Sequence, residues 1–127
     1  MGVKMTQKNE LEEKLTNFFN AENARDWKLY ESFLSEDVQW ISYGPPKRKV
    51  VSGKKDYIKT MIRAYRNIPE RFSVLNMVSD IESGVVIAEL ELRSRRSVDI
   101  FEFENGLIKR EREYYDDTLW LEPKDKP

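Results

Sequence analysis

Leu11, Leu15, Phe18 and Phe19 recur at spacings of four, three and one, with Glu and Lys between them. That stripe predicts an amphipathic helix over about 7–22. Asn23-Ala24-Arg25-Asp26 interrupts it, and Asp26 suits the N-cap of a short second helix carrying Trp27, Tyr30, Phe33 and Leu34. After Ser35-Glu36-Asp37 the period falls to two. Val38, Trp40 and Ser42 alternate with Gln39, Ile41 and Tyr43, a strand closed by Gly44-Pro45-Pro46. Beyond Val50-Val51 and Ser52-Gly53, the residues Tyr57, Ile58, Met61, Ile62 and Tyr65 restore helical spacing over about 54–66, with Pro69 marking the stop. Everything downstream reads as strand, at 72–79, 85–92, 97–104 and 107–115. Glu82-Ser83-Gly84 and Asn105-Gly106 supply turns, and Asn-Gly between apolar alternations is a strong hairpin signal.

Three helices interrupted by one strand or hairpin, then an antiparallel meander, make an α+β layout. Helices with apolar stripes must cover one face of a curved sheet, which predicts a cone with a pocket at its open end. No repeat or linker divides the chain. The expectation is one domain over 1–127, with a core at about 8–118 and a polar tail at 119–127.

Composition narrows the chemistry. The 127 residues hold 22 Lys+Arg against 23 Asp+Glu, with no His and no Cys. Serine-histidine-acid catalysis, histidine-liganded metals, histidine pH switches, thiolate nucleophiles and disulfides are therefore excluded. No EF-hand spacing is present, and neither a metal nor another cofactor is expected. Lys47-Arg48-Lys49 with Lys54-Lys55 has no phosphate-loop glycines, and a pI of about 5.7 argues against a nucleic-acid footprint, so a solvated loop is expected. Aliphatic runs such as Val85-Val86-Ile87-Ala88 are too short to cross a membrane, and residues 1–14 lack the apolar region of a secretory signal. A cytoplasmic protein without membrane partners is the expectation. Met1-Gly2-Val3-Lys4-Met5-Thr6 fits the myristoylation pattern, a short match of the kind chance supplies.

The last strand, Lys109-Arg110-Glu111-Arg112-Glu113-Tyr114-Tyr115, puts Glu111, Glu113 and Tyr115 on one face and Arg110, Arg112 and Tyr114 on the other. A simple hairpin about Asn105-Gly106 pairs Phe103 with Ile108, Phe101 with Arg110 and Asp99 with Arg112, which turns the arginines inward. One β-bulge would reverse that choice.

Asp37-Val38-Gln39-Trp40, Gly53-Lys54-Lys55-Asp56-Tyr57-Ile58, Asp99-Ile100-Phe101-Glu102-Phe103-Glu104-Asn105-Gly106-Leu107-Ile108 and Glu113-Tyr114-Tyr115-Asp116 resemble the SnoaL-like branch of the nuclear transport factor 2-like superfamily. The resemblance spans about 8–118 and implies a cone-shaped, cystatin-like α+β barrel, with a curved antiparallel sheet wrapped around the three N-terminal helices, joined into a homodimer through the sheet. It implies no single activity. Ketosteroid isomerase, a relative, uses an Asp base with a Tyr and a protonated Asp. Those positions match Ser42, Phe18 and about Arg96, so steroid-type isomerisation is not expected. Limonene epoxide hydrolase uses an Asp-Arg-Asp set, which matches Glu113 and roughly Glu89-x-Glu91, without the Arg.

The relatives' inward positions match Glu111, Glu113 and Tyr115, which favours the bulged register. Glu113 then enters the cavity as an acid or base of raised pKa, with Asp99 as a second catalytic or anchoring carboxyl. Phe18, Trp40, Ser42, Tyr57, Ile62, Phe101 and Tyr115 are the expected lining residues. The plainer alternatives are that Glu111 and Glu113 pair with Lys or Arg on a solvated face, that Asp99 forms a structural ion pair, and that the aromatic residues only pack the core. The expected function is binding of an apolar or aromatic small molecule, with cofactor-independent isomerase, cyclase or dehydratase chemistry. The alternative is a non-catalytic ligand-binding or dimerisation module.

Overall fold

The computed structural model describes residues 9–44 and 47–116. The Gly2 lipidation pattern, Pro45-Pro46 and the polar tail lie outside those residues. Helix α1 (Glu10–Ala24) begins at Asn9, whose side chain accepts from the Glu12 amide at 2.9 Å. Glu10, Glu12 and Glu13 in its first turn suit the positive end of the helix dipole. Arg25 ends it in a left-handed conformation, φ 58°. Asp26 then caps α2 (Trp27–Glu31) through the Leu29 amide at 3.2 Å. Strand β1 (Leu34–Tyr43) and strand β2 (Lys49–Ser52) form a hairpin, and α3 (Lys54–Ala64) follows Gly53, whose φ of 93° turns the chain into the helix. Strands β3 (Ser73–Asp80), β4 (Val85–Leu92), β5 (Arg95–Glu104) and β6 (Leu107–Tyr115) complete the chain.

The six strands lie in one curved sheet in the order β2-β1-β6-β5-β4-β3. Two expectations need correction. The sheet is mixed rather than wholly antiparallel, because β1 runs parallel to β6. It is also open rather than a barrel, with β2 and β3 as its edges. Alternation in 38–43 marks two faces but carries no information on strand direction. Direction is set by the long connection through α3 and the meander that brings β6 beside β1.

The β5–β6 turn has Asn105 at φ 54° and Gly106 at φ 78°, the left-handed pair that a tight hairpin requires. Phe103 pairs with Ile108, yet Glu102 pairs with Arg110, so Lys109 is the extra residue of a β-bulge. The simple register, with Asp99 opposite Arg112, is therefore overturned: Asp99 stands opposite Glu113 and Phe101 opposite Glu111. Leu15, Phe18, Tyr30, Leu34, Val38, Val86, Phe101 and Ile108 form the center of the core between helices and sheet. Phe18 stacks on Tyr30 at 4.0 Å and meets Phe101 edge-on at 6.0 Å. No helix among the described residues is long and apolar enough to cross a membrane.

Candidate functional site

Strand pairing lays the site out in rows across the inner face. The deepest row runs Val51, Trp40, Glu111, Phe101 and Val86. The next runs Lys49, Ser42, Glu113, Asp99 and Ala88, and the one beyond it Tyr115, Ser97 and Leu90. Because the bulge turns Glu111, Glu113 and Tyr115 to the same side as Asp99, β5 and β6 place three carboxyls side by side. Helices α1 and α3 roof them, adding Glu22 and the phenols of Tyr57 and Tyr65. Between roof and sheet lies a cavity of about 440 Å³. Its walls include Phe19, Met61, Ile68, Phe72, Leu90 and Leu92, and its polar groups include Glu22, Asp99, Glu111 and Glu113.

Glu22, Glu111 and Glu113 each accept from a neutral donor, and no acid of the site has a cation within 4 Å among the described residues. Glu113 Oε1 accepts from Trp40 Nε1 at 3.1 Å and from the Tyr115 hydroxyl at 2.7 Å. Tyr57 donates to Glu111, and Tyr65 donates to Glu22. Asp99 is only 2% exposed, and its Oδ1 has no hydrogen-bond partner among the described residues. The reading of Glu111 and Glu113 as solvated ion-pair residues fails on this geometry, as does that of Asp99 as half of an ion pair. Arg112, once its expected partner, projects to the opposite face, where it meets Glu102 at 3.6 Å.

Burial without a countercharge favours the protonated acids. It pushes Glu111 up to about 8, helped by the charge of Glu113 and opposed by the Asp99 and Tyr57 hydrogen bonds. It raises Glu22 to about 7, against the opposing bonds from Tyr65 and Tyr30. Asp99 is pushed well above the ordinary carboxylate range by burial first and by Glu113 and Glu111 next. Glu113 is raised by burial too, but the hydroxyl of Tyr115, the indole of Trp40, the Asp99 bond and the charge of Arg95 all pull it back. Burial and the neighbouring glutamates hold the Tyr57, Tyr65 and Tyr115 phenols above their usual range, so they stay donors.

Oxygens of Asp99, Glu111 and Glu113 lie within 4.8 Å of one another, the all-oxygen set that hard cations take. Trp40, Tyr57 and Tyr115 already direct N–H and O–H groups at Glu111 and Glu113, which suits shared protons better than a metal shell. The arrangement can take a proton from a bound molecule at one carboxyl and return one from another.

Of the residues expected at the site, Asp99, Glu113, Trp40, Ser42 and Tyr115 line the cavity. Phe18, Tyr57 and Phe101 do not: each is 0% exposed and packs the core behind the wall, although the Tyr57 hydroxyl reaches Glu111. On α1 the lining falls to Phe19 and Glu22, one helical step round from Phe18. Ile62 is 41% exposed on the outer side of α3, while Met61 and Tyr65 face inward. Glu22, Glu111 and Tyr65 were not among the expected site residues. The signal for Glu111 was its shared strand face with Glu113, and for Glu22 its place four residues after Phe18 on an apolar stripe.

The sequence profile of the SnoaL-like domain family matches residues 15–111. Among solved structures, a SnoaL-like protein of unknown function from Burkholderia thailandensis aligns with TM-score 0.71 at 17% identity, over 87% of this chain and 99% of its own. A cystatin-like fold protein of unknown function from Methylobium petroleophilum aligns with TM-score 0.72 at 15% identity, over 84% and 76%. A ketosteroid isomerase candidate from Kribbella flavida aligns with TM-score 0.69 at 21% identity, over 90% and 83%. Likeness at these identities establishes the fold. A search of curated proteins finds no match.

Proposed function

The chain belongs to the SnoaL-like domain family, and we propose that its cavity binds a small apolar or aromatic molecule and moves protons on it without a cofactor, as an isomerase, cyclase or dehydratase. The observation that carries this reading is the trio of Asp99, Glu111 and Glu113, the first two buried and the third partly buried, with no countercharge within 4 Å among the described residues and one cavity in common. Their environments differ, and that difference assigns roles. Glu113 receives the Trp40 and Tyr115 donors, which hold its ionised form, so it serves as the base. Burial and the neighbouring glutamates push Asp99 well above the ordinary carboxylate range, and Glu111 beside it is raised to about 8, so these two serve as acids. Glu113 takes a proton from a carbon next to a ligand carbonyl while Asp99 or Glu111 gives one to the carbonyl oxygen, forming a neutral enol. Return of the proton at another carbon isomerises the ligand, and loss of a β-hydroxyl as water dehydrates it.

A thermal-shift screen with ring compounds, followed by turnover assays on the hits, tests the proposal. Glu113→Gln should lower turnover by roughly 10²–10⁴-fold while the ligand still binds. Binding without turnover would make the protein a non-catalytic ligand module, and absence of any ring-compound binding would overturn the reading. A homodimer is part of the same proposal. The outer sheet face carries the cross-strand row Val78, Ile87 and Ile100 beside Val98 and Tyr114, with Val78 60% exposed, and a second copy seated there would cover it. Light scattering at micromolar protein should give a dimer, and a monomer would count against it.

A further inference from the structure

The basic stretch after β1 returns at the cavity mouth. Alternation along β2 turns Lys49 and Val51 to the cavity, and Lys47 just before the strand lines it too, while Arg48 between them is not part of its lining. On β5 the same alternation sets Arg95, Ser97 and Asp99 in one file from rim to floor. Lys47, Lys49 and Arg95 have no carboxylate within 4 Å among the described residues. Arg96, which also lines the cavity, is by contrast paired with Glu91 at 3.3 Å, and away from the cavity Lys54 meets Glu36 at 3.3 Å and Arg110 meets Glu102 at 3.1 Å. This is not a general excess of base, because the whole chain carries a net charge of −1. Position matters as well. Lys49 shares the row of Glu113 and Asp99 and stands two strands from Glu113, or about 10 Å at the usual spacing. A bicyclic ring spans that gap between a head group at the rim and a carbon at the floor.

We propose that the ligand is an aromatic organic anion, its carboxylate or phosphate head held by Lys47, Lys49 and Arg95 at the mouth and its ring laid over Phe19, Met61 and Phe72 toward Glu113. This rests on the acid–base reading of the same cavity and adds the charge class of the ligand. Burial raises Asp99 and Glu111 toward their neutral forms, which lessens the negative charge the floor presents to an anion at the rim.

Binding of 2-naphthoate, 2-naphthyl phosphate and the neutral 2-naphthamide, measured by calorimetry at low salt, separates the possibilities. At least one anion should bind about three- to tenfold tighter than the amide, the advantage that two or three half-exposed ion pairs supply. The tighter anion identifies the head group. The advantage should shrink at about 1 M salt, where screening acts over roughly 3 Å. It should also collapse toward a ratio of one in the Lys49→Gln/Arg95→Gln double variant, whose changes are confined to exposed side chains. An amide that binds as tightly as both anions overturns this inference and leaves the proposed function standing. Failure of all three to bind would count against the aromatic-ligand reading itself.

Discussion

The inner and outer faces of the β5–β6 pair hold the same kinds of charged residue in opposite states. Outside, Arg110 and Arg112 reach Glu102 at 3.1 and 3.6 Å, partly open to water. Inside, Asp99, Glu111 and Glu113 have no cation within 4 Å among the described residues, and Glu111 and Glu113 accept from neutral donors. The outer acid is neutralised by charge, which in water is worth little. The inner acids have burial in place of charge, which raises their pKa values toward neutral pH and makes proton transfer available there. One extra residue, Lys109, decides which set is which.

The sharpest break in that comparison comes from pH. Glu111 has a folded pKa of about 8, above its ordinary value of 4.5, so between those pH values the folded state holds more protons than the unfolded one. Stability should therefore be full near pH 4.5, fall as pH rises, and level off above about 8. Glu111→Gln keeps an acceptor for Tyr57 and removes the charge. Urea melts should show the variant gaining on the parent with rising pH, by up to several kcal/mol at pH 9, and a constant gap would contradict the account.

A second effect concerns how the cavity wall is held. Arg25 donates to the Ile68 and Glu70 carbonyls at 2.6 and 2.8 Å and lies over the Tyr65 ring at 4.1 Å, tying the α3–β3 connection to the end of α1. Arg25→Ala should cost about 1–3 kcal/mol and speed amide exchange across 65–72 while sparing β5 and β6. Uniform loss of protection would show that the connection is not separately anchored.

The outer face should give the smallest response. Arg110→Ala removes a half-exposed pair and should change stability by about 1 kcal/mol or less, nearly independently of pH between 5 and 9. A pH response as large as that of Glu111→Gln would erase the distinction between the faces.

Much of the fold was legible because its signals are local. The Asp26 cap, the Asn105-Gly106 turn and the period change at Val38 each depend on a few neighbouring residues. The parallel β1–β6 pairing was not legible, since alternation is the same in either direction. The bulge at Lys109 left no local mark, and only the resemblance to relatives favoured it over simple hairpin arithmetic. At the site, Glu113 could be picked out through the relatives' inward positions and Asp99 as a carboxyl beside Ile100 and Phe101, whereas separating Phe18 from Phe19, or Ile62 from Met61, needs a helix rotation finer than hydrophobic spacing records.

The central claim is that the inner carboxyls share protons near neutral pH. Side-chain carboxyl NMR on the labelled protein, titrated from pH 3 to 10, reads this directly. The account predicts slow-exchanging carboxyl signals that titrate above pH 6, one of them near 8 and absent from Glu111→Gln. Titration of every carboxyl below about pH 5 would contradict it.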